Sequence, residues 1–396
     1  MTVKYPENVV KIAEILAENG HKAYAVGGCI RDAIMGKAPN DWDMTTDCSP
    51  EKMLEIFEAE GIRTIPTGLK HGTVSVLLGQ EIYECTTFRI DGSYTDSRHP
   101  DKVTFTRDVT EDLRRRDFTV NAMAGDPLSP SGEIVDVFGG QDDLQNKVIR
   151  AVGDPETRFT EDALRILRAI RFATVLNFEI DGETKDAAVK LGYRLGDISA
   201  ERKSVELQKI LMSDHADRGV ALLLETDLAK YIHPDIMLPR VTLASLPKSF
   251  STRLAALFGK IPDLGCMKLS GEVTKQVRLL CDDMLFSDAV SKYSKIDVIA
   301  RCLLSKYGNL AADAALLRNN SALAEAIIEE RTKDPCVAIR DLAIGGNDLL
   351  SLGIEPKMIG GIMLSLLISV IEEPSLNEKE ALTLAAQRLA CDERRM

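Results

Sequence analysis

The pattern of apolar residues changes near residue 150, and this change constrains the fold more than any other feature of the sequence. Before it, short alternating segments are separated by glycine turns and by helical segments. After residue 155, apolar residues recur at helical spacing almost throughout. The sequence therefore predicts an α+β N-terminal domain, with helices on a mixed β-sheet, followed by an all-α array.

The expected elements of the first domain follow from this alternation and from capping residues. Ser49 and Pro50 form a good N-cap and first turn for a helix that follows them. Helices are predicted at 6–19, 29–36 and 50–60, and strands at 22–26, 41–46, 73–79, 81–88 and 102–106. The polar stretch 89–101, which contains glycine and proline, is predicted to be a mobile loop.

The second part of the chain is predicted to be helical. Apolar residues favour one long helix over 155–177 with a buried face. Further helices are predicted at 184–195, 200–212, 215–230, 250–258, 271–287, 290–306, 309–317, 321–330 and 379–390.

Composition excludes several classes of protein. The 49 Lys and Arg against 61 Asp and Glu give a net charge of −12, which excludes a uniformly basic surface but not a local basic patch. No run of 18 apolar residues is present, and the amphipathic start does not resemble a signal peptide, so we expect no membrane span. Eight scattered cysteines without a CxxC pair favour reduced thiols and a cytoplasmic location, and five histidines do not favour a zinc site.

Three features of the first domain lie within seventeen residues: Gly27-Gly28, Arg31-Asp32 and Asp41-x-Asp43. A glycine pair between a strand and a helix lets backbone N–H groups approach a phosphate. Two aspartates spaced by one residue on a strand share a face, and paired carboxylates suit magnesium ions that bind substrate phosphates. Taken singly, a glycine pair is usually only a turn and the two aspartates only a polar strand end, but their joint occurrence favours phosphate chemistry.

These residues resemble the polymerase-β-type nucleotidyltransferase superfamily, and more narrowly the class II tRNA nucleotidyltransferases, or CCA-adding enzymes, and the related bacterial poly(A) polymerases. Five motifs stand in family order between residues 24 and 175. They are AVGGCIRDAIMGKAPNDWDMTT, YECTTFRIDGSYTDSRHPDKVTF, EDLRRRDFTVNAMA, VDVFGGQDDLQNKVIRAVGDPETRF and EDALRILRAIRFA. The resemblance continues more weakly through residues 198–211 and 344–367.

The resemblance implies roles for residues of the first domain. Asp41 and Asp43 resemble the metal-binding carboxylates, and Glu84 resembles the third acidic position, although it is also compatible with an outward-facing strand charge. Trp42, between the two aspartates, is expected to pack in the core. The phosphate-binding turn corresponds to Gly27, Gly28, Arg31 and Asp32, and the contacts to nucleotide sugar or phosphate correspond to Arg116, Asp117 and Asn121. The cluster Arg114–Arg116 would also suit a solvated helix end.

The segment EDALR offers a way to select bases. On the predicted helix, Asp162 and Arg165 are three residues apart and share a face, so that one accepts and the other donates hydrogen bonds. Cytosine and adenine both present an amine donor beside a ring-nitrogen acceptor, whereas uracil and guanine present the reverse, and a mismatch leaves buried groups unpaired. The resemblance assigns base selection to this pair, with Glu161 holding Arg165, and with Arg168 and Arg171 near the phosphate or base. A surface helix with ordinary ion pairs is the alternative.

The resemblance as a whole implies an enzyme that adds C, C and A to the 3′ end of tRNA from CTP and ATP, with two Mg²⁺ ions and no nucleic-acid template. It implies a catalytic head at 1–150, a nucleotide-selecting neck at 151–200, a body at 201–333 and a tRNA-binding tail at 334–396. Basic residues that could line a groove for the acceptor arm are His215, Arg218, Lys230, Lys248, Arg253, Lys260 and Lys268. The sequence leaves the oligomeric state open.

Other activities remain open at this stage. The same motifs occur in poly(A) polymerases and in enzymes that add only CC or only A. The short mixed-charge C-terminal segment lacks an extended basic tail, and the full-length loop at 89–101 favours addition of the final A by family analogy. A small-molecule nucleotidyltransferase would not need EDALR, and a non-catalytic tRNA-binding protein would not need Asp41 and Asp43. The absence of a His-Asp dipeptide argues against an added phosphohydrolase domain.

Overall fold

A computed structural model describes residues 3–92 and 103–393, which fold as two compact units. Unit 1 comprises Met1–Pro234 with Cys266–Lys268, and unit 2 comprises Asp235–Gly265 with Leu269–Met396. A mixed sheet with helices is followed by helices, so the predicted fold class is confirmed. The finer division into head, neck, body and tail stays a prediction.

The strands lie in unit 1. They are β1 (Ala23–Val26), β2 (Met44–Thr46), β3 (Thr64–Gly68), β4 (Thr73–Leu78), β5 (Glu81–Thr87), β6 (Arg89–Asp91), β7 (Val103–Phe105), β8 (Ala124–Gly125), β9 (Ile134–Val135), β10 (Val148–Ile149) and β11 (Glu179–Ile180). Within the described residues, seven of them form one mixed sheet in the order β3-β4-β5-β2-β1-β8-β9. The β2–β5 pair is parallel and the other neighbours are antiparallel.

The predicted loop 89–101 is wrong at its start. Residues Arg89–Asp91 form β6, which pairs antiparallel with β7, because the backbone groups of Arg89 and Asp91 align with those of Phe105 and Val103. The rest of that stretch, 93–101, lies outside the described residues.

Five helices occur among the described residues before residue 150. They are α1 (Glu7–Glu18), α2 (Gly28–Ile34), α3 (Pro50–Ala59), α4 (Val109–Arg114) and α5 (Gly140–Asn146). The predicted cap of α3 is confirmed, since the Ser49 hydroxyl accepts from the Lys52 amide at 3.3 Å. Phe57, Phe88 and Phe118 are fully buried and belong to the core. Truncation of such a buried ring to alanine typically costs about 3–5 kcal/mol.

The remaining helices of unit 1 are α6 (Pro155–Glu161), α7 (Leu164–Leu176), α8 (Gly182–Leu191), α9 (Ala200–Leu211) and α10 (Ala216–Glu225). The prediction of one helix over 155–177 is wrong, because the chain is extended at Asp162, with φ −140° and ψ 103°. The Asp162 carboxylate accepts from the Leu164 amide at 3.0 Å and from Arg202 at 3.0 Å. With these bonds at the break, α6 ends at Glu161 and a second helix, α7, begins at Leu164.

Unit 2 is helical. Its helices are α11 (Phe250–Ala255), α12 (Gly271–Leu280), α13 (Asp283–Lys292), α14 (Ile296–Tyr307), α15 (Ala311–Leu316), α16 (Ser321–Thr332), α17 (Gly346–Ser351), α18 (Pro356–Glu372) and α19 (Lys379–Glu393). The predicted helix 271–287 is wrong, because Asp282 caps a new helix by accepting from the Leu285 amide at 2.9 Å. Helix α18 was not predicted from the sequence. None of the helices in the described ranges combines the length and apolar content that crossing a bilayer requires.

Candidate active site

The acidic residues lie beside the centre of the sheet. Asp41 and Asp43 precede β2 instead of lying on it, so the argument that a strand places them on one face is wrong. The Asp43 carbonyl accepts from the Val26 amide at 2.9 Å, which holds this segment against β1. The parallel register pairs Met44 with Cys85 and so brings Glu84, on β5, beside Asp43. The fold thus gathers the three predicted carboxylates from two neighbouring segments.

These carboxylates repel one another. The pKa of Asp43 is raised because protein atoms around the carboxyl remove part of its hydration, although the residue is open to solvent on one side. Glu84 and then Asp41 raise this pKa further, whereas Arg116 lowers it. A cation bound here would relieve this repulsion.

The carboxylates do not form a complete metal cage by themselves. Within residues 3–92 and 103–393, no three His, Cys, Asp or Glu side chains converge closely enough to hold a metal ion. Magnesium is commonly held by one or two carboxylates together with water and substrate phosphates. Asp41 and Asp43 fit that mode, in which the substrate completes the coordination.

Trp42, which separates the two aspartates, is half-buried and packs edge-on against Tyr5, with ring centroids 5.7 Å apart. The contact links the aspartate segment to the residues that precede α1. The expected packing role is therefore met at the edge of the core.

The glycine turn leaves room for a neighbouring side chain, whereas the N–H group of Gly27 is already hydrogen-bonded. Gly27 has φ 83°, and its N–H already donates to the Met123 carbonyl at 3.2 Å, so it is not offered to a phosphate as expected. A Cβ at Gly27 would lie 2.9 Å from Nη1 of Arg116. Gly27 therefore leaves room for the Arg116 guanidinium, and Gly28 opens α2 directly after it.

Arg115 and Arg116 are anchored by a buried carboxylate. Asp112 is fully buried, pairs with Arg115 at 2.8 Å and lies 3.4 Å from Nη2 of Arg116. Burial and the neighbouring Arg115 lower the pKa of Arg116, while Asp112 raises it. Nε of Arg116 is buried and has no hydrogen-bond partner among the described residues. Only Arg114 behaves as a solvated helix end, with its guanidinium 5.8 Å from the Phe138 ring.

Asp117 is the hub of the predicted nucleotide contacts. Its Oδ1 accepts from the Phe118 amide at 2.9 Å and from Asn121 at 3.2 Å, and its Oδ2 accepts from Nε of Arg168 at 2.7 Å. Although burial opposes ionisation, Arg168 and Asn121 lower the pKa of Asp117 to about 2, so that it stays charged. Both of its oxygens are thus engaged before any ribose arrives.

Arg31 joins this hub from the head. Its Nη1 donates to Oδ1 of Asn121 at 2.7 Å, and its Nε donates to Asp32 at 2.8 Å. The second contact orients the Arg31 guanidinium. Arg31, Asn121, Asp117 and Arg168 therefore form one connected chain of hydrogen bonds.

Asp162 and Arg165 lie at the same cavity but do not share a helical face, because Asp162 lies in the break between α6 and α7. Arg165 donates to Glu161 at 2.6 Å, as expected, and also to the Arg115 carbonyl at 2.9 Å. The cavity has a volume of about 220 Å³. It is lined by Arg115, Arg116, Asp117, Asp162, Leu164, Arg165, Arg168 and Arg202.

Two of the predicted residues on helices lie in the interior. Arg171 is buried, pairs with Glu206 at 3.1 Å and is not among the residues that line the cavity, and its contact with a nucleotide stays a prediction. Arg253 cannot line an RNA groove, because it is 2 % exposed and its Nε donates to the Pro247 carbonyl at 3.2 Å. Its guanidinium is instead hydrogen-bonded in the interior of unit 2.

Arg202 lines the cavity and pairs with Asp162 at 3.0 Å, but it was not predicted from the sequence. It lies in the segment 198–211, where the resemblance to the family is weaker and indicates no single residue. Asp112 was not predicted either, although an aspartate three and four residues before two arginines indicates such pairing on a helix.

Comparisons with known proteins agree with this geometry. Residues 23–150 match the family described as "Poly A polymerase head domain". Residues 177–238 match the family described as "Probable RNA and SrmB- binding site of polymerase A". The first match spans the acidic residues and the arginines at and after the end of α4, and the second spans Arg202.

Three proteins that match over most of the chain are CCA-adding enzymes. The CCA-adding enzyme of Bacillus subtilis (strain 168) is 36 % identical over 367 residues, which cover 87 % of this chain and 88 % of that protein. The chain is similar to the crystal structure of the Bacillus stearothermophilus CCA-adding enzyme in complex with CTP, with a TM-score of 0.81, 30 % identity, and coverage of 99 % and 100 %. The Thermotoga maritima CCA-adding enzyme complexed with tRNA matches with a TM-score of 0.72 at 20 % identity, covering 96 % and 95 %, which supports the fold alone.

Proposed function

The chain belongs to the CCA-adding enzyme family, and from that membership we propose that it adds C, C and A in turn to the 3′ end of tRNA, using CTP and ATP without a nucleic-acid template. The structural observation that best supports this function is the cavity that Asp162, Arg165 and Arg168 line together. A carboxylate and guanidinium groups at one small cavity supply the acceptor and donors that cytosine and adenine both require.

The cavity suits a base instead of a whole nucleotide. At about 220 Å³ it is smaller than the roughly 300–1,000 Å³ of sites that enclose larger ligands. Asp162 is held by Arg202, and Arg165 by Glu161, so both groups are fixed before the base enters. A base with the reverse pattern would set a carbonyl oxygen against the Asp162 carboxylate and an N–H group against the Arg165 guanidinium, and this mismatch is the physical basis of rejection.

The triphosphate is assigned to the arginines next to the glycine turn. Arg116 has a buried Nε without a protein partner among the described residues, and the missing Cβ of Gly27 leaves it room. Arg31 lies on the same side of the hub, bonded to Asn121. A phosphate oxygen would satisfy the unpaired donor, and Asp117 holds Asn121 and Arg168 in place without needing a further ligand.

Asp41 and Asp43 are assigned to hold Mg²⁺, with Glu84 beside them. The raised pKa of Asp43, caused partly by its acidic neighbours, marks a position where a cation is favoured. When bound, such ions make the attacking hydroxyl more acidic and neutralise charge on the triphosphate. The tRNA hydroxyl then displaces pyrophosphate at the α-phosphorus, and no covalent enzyme intermediate is needed.

The acceptor RNA is assigned to the helical part of the chain that follows the head. Residues 177–238 match a family described as a probable RNA-binding site, and they provide Arg202 at the cavity. A tRNA bound along these helices would bring its 3′ end to the carboxylates of the sheet. The predicted cytoplasmic location is consistent with this substrate.

The test is incorporation of single labelled nucleotides, with Mg²⁺, into tRNA transcripts that end before CCA, after C or after CC. We expect two C and then one A, followed by arrest. Repeated addition of A would indicate a poly(A) polymerase, and arrest after CC would indicate a partial enzyme. Failure to incorporate any nucleotide would contradict the proposal.

The metal assignment is tested by Asp41→Ala and Asp43→Ala. Each should lower incorporation at least about a hundredfold at an unchanged unfolding temperature, because the ion contributes several kcal/mol to the transition state. Asp47→Ala is the matched control, since Asp47 follows β2 and pairs with His21 at 3.1 Å instead of facing the site. Retained activity in either test variant would refute the assignment.

A further inference from the structure

Phe172 is an aromatic ring placed among arginines. It lies on α7, is half-buried, and is absent from the lining of the nucleotide cavity. Three guanidinium carbons approach its centroid, at 5.5 Å for Arg31, 5.4 Å for Arg168 and 4.1 Å for Arg171. All three distances are within the range of cation–π attraction.

The arginines around the ring repel one another. Burial and the charge of Arg168 lower the pKa of Arg171 to about 10, although Glu206 opposes the shift. The electron-rich face of an aromatic ring attracts cations, and so it offsets part of such repulsion. A Leu side chain of similar volume would fill the space without this attraction.

Phe172 also closes a circuit. Arg31 donates to Asn121, Asn121 donates to Asp117, and Asp117 accepts from Arg168. Arg31 and Arg168, the two ends of this chain of hydrogen bonds, both approach the Phe172 ring, which itself packs edge-on against Phe118 at 5.7 Å. The two guanidinium groups are therefore held both by hydrogen bonds and by contact with the same ring.

We propose that Phe172 is a positioning residue for nucleotide binding, which sets the placement of Arg31 against Arg168 without touching the nucleotide. This rests on the proposed function, in which Arg31 meets the triphosphate and Arg168 lies at the base cavity. The placement is the same for CTP and ATP, because Phe172 itself does not line the cavity and acts only through the two arginines. Loss of the ring therefore weakens both nucleotides together and leaves the choice between bases intact.

The experiment compares Phe172→Leu with wild type, by measuring KM and kcat for CTP on tRNA that ends before CCA and for ATP on tRNA that ends in CC. We expect KM for both nucleotides to rise roughly tenfold, as the loss of one or two ring–guanidinium contacts predicts, with kcat nearly unchanged. Phe172→Tyr keeps the ring and should restore the wild-type KM.

Phe138→Leu is the matched control. It removes another half-buried ring beneath a guanidinium, that of Arg114, which does not line the cavity. Its KM for CTP and ATP should equal that of wild type. Absence of C and A addition by wild type and this control would refute the proposed function, whereas normal KM values in Phe172→Leu alone would refute only the positioning role.

A coupling measurement separates positioning from packing. In an Arg168→Ala background, Phe172→Leu should raise KM by a smaller factor than in wild type, because one of the positioned groups is already gone. An equal factor in both backgrounds, or a fall in kcat together with the unfolding temperature, would overturn the proposal. Phe172→Met replaces Phe172→Leu if the latter does not fold, and failure of both to fold would show that the ring serves packing.

Discussion

At the scale of single residues, the candidate site depends on space as much as on charge. Arg116 reaches its position because Gly27 has no Cβ and because buried Asp112 lies 3.4 Å from one of its nitrogens. Its Nε is left without a partner in the described residues. An arginine that is half-buried, lightly anchored and partly unpaired is suited to receive an anionic ligand.

Substitution of the turn tests this arrangement. In Gly27→Ala, the new Cβ would lie 2.9 Å from Nη1 of Arg116, in a backbone with φ 83° and ψ −129° that other residues rarely adopt. We expect a loss of about 1–3 kcal/mol in stability. We also expect KM for CTP and ATP to rise, since the guanidinium must move. Thermal unfolding and single-nucleotide kinetics measure the two effects.

Gly20→Ala is the control for backbone strain alone. Gly20 also has a positive φ, of 81°, but a Cβ there would meet nothing within 4 Å. This variant should lose about 1 kcal/mol of stability and keep its KM. If both variants kept the wild-type KM, the space at Gly27 would have no part in nucleotide binding.

At the scale of elements, local signals were predictable and long-range ones were not. The Ser49 cap of α3, the β4–β5 pair and the Glu161–Arg165 ion pair depend on neighbours in sequence, and the structure confirms all three. The break at Asp162 depends on Arg202, forty residues further along the chain, so helical periodicity over 155–177 could not reveal it.

The position of the carboxylates and the tail helix were harder to predict for other reasons. Asp41 and Asp43 continue the alternation of β2, yet β2 begins only at Met44, where pairing with β1 and β5 starts. The long helix α18 was missed, since Gly360 and Gly361 in its middle weaken a sequence-based helix assignment. The motifs predicted which residues gather at the site, but only the fold supplied their contacts.

The helix break makes a prediction for base selection. Asp162→Ala removes an acceptor from the cavity, and this acceptor also receives the Leu164 amide at the start of α7. We expect discrimination of CTP over UTP and of ATP over GTP to fall roughly ten- to hundredfold, because the carbonyl oxygen of the wrong base no longer meets a carboxylate. Incorporation from each of the four nucleotides measures this.

Asp154→Ala separates capping from selection. Asp154 caps α6 by accepting from the Thr157 amide at 2.7 Å, and it does not line the cavity. Both variants should lose about 1 kcal/mol of stability, because each removes a carboxylate that accepts a backbone amide at the start of a helix. Only Asp162→Ala should change the choice of base, and an unchanged choice would assign selection to other residues.

At the scale of the whole molecule, charge is distributed unevenly. The chain carries a net charge of −12, yet the nucleotide cavity is lined by five arginines among its eight residues. In the proposed function, attraction for the anionic nucleotide would therefore come from the local placement of arginines and not from overall charge. Unit 2 uses charge differently, since Arg301 and Glu330 are each 5 % exposed and pair at 2.9 Å.

The buried pair predicts how the two units unfold. Arg301 also donates to the Ile371 carbonyl at 2.7 Å, so it joins α14, α16 and α18. Glu330→Ala would leave this guanidinium without its buried partner, and we expect unit 2 to lose roughly 3–5 kcal/mol. Glu329→Ala is the matched control, because this exposed neighbour pairs only at the surface with Lys333, at 3.2 Å, and should cost at most about 0.5 kcal/mol.

Trp42, the one tryptophan of the sequence, lies in unit 1, so its fluorescence reports that unit, whereas far-ultraviolet circular dichroism reports the helices of both. In urea, Glu330→Ala should move part of the dichroism loss to lower concentration and leave the fluorescence transition in place, since two compact units need not unfold together. CTP binding measured by calorimetry without urea should equal that of wild type, because the nucleotide cavity belongs to unit 1. A common shift of both transitions would show instead that the units unfold as one.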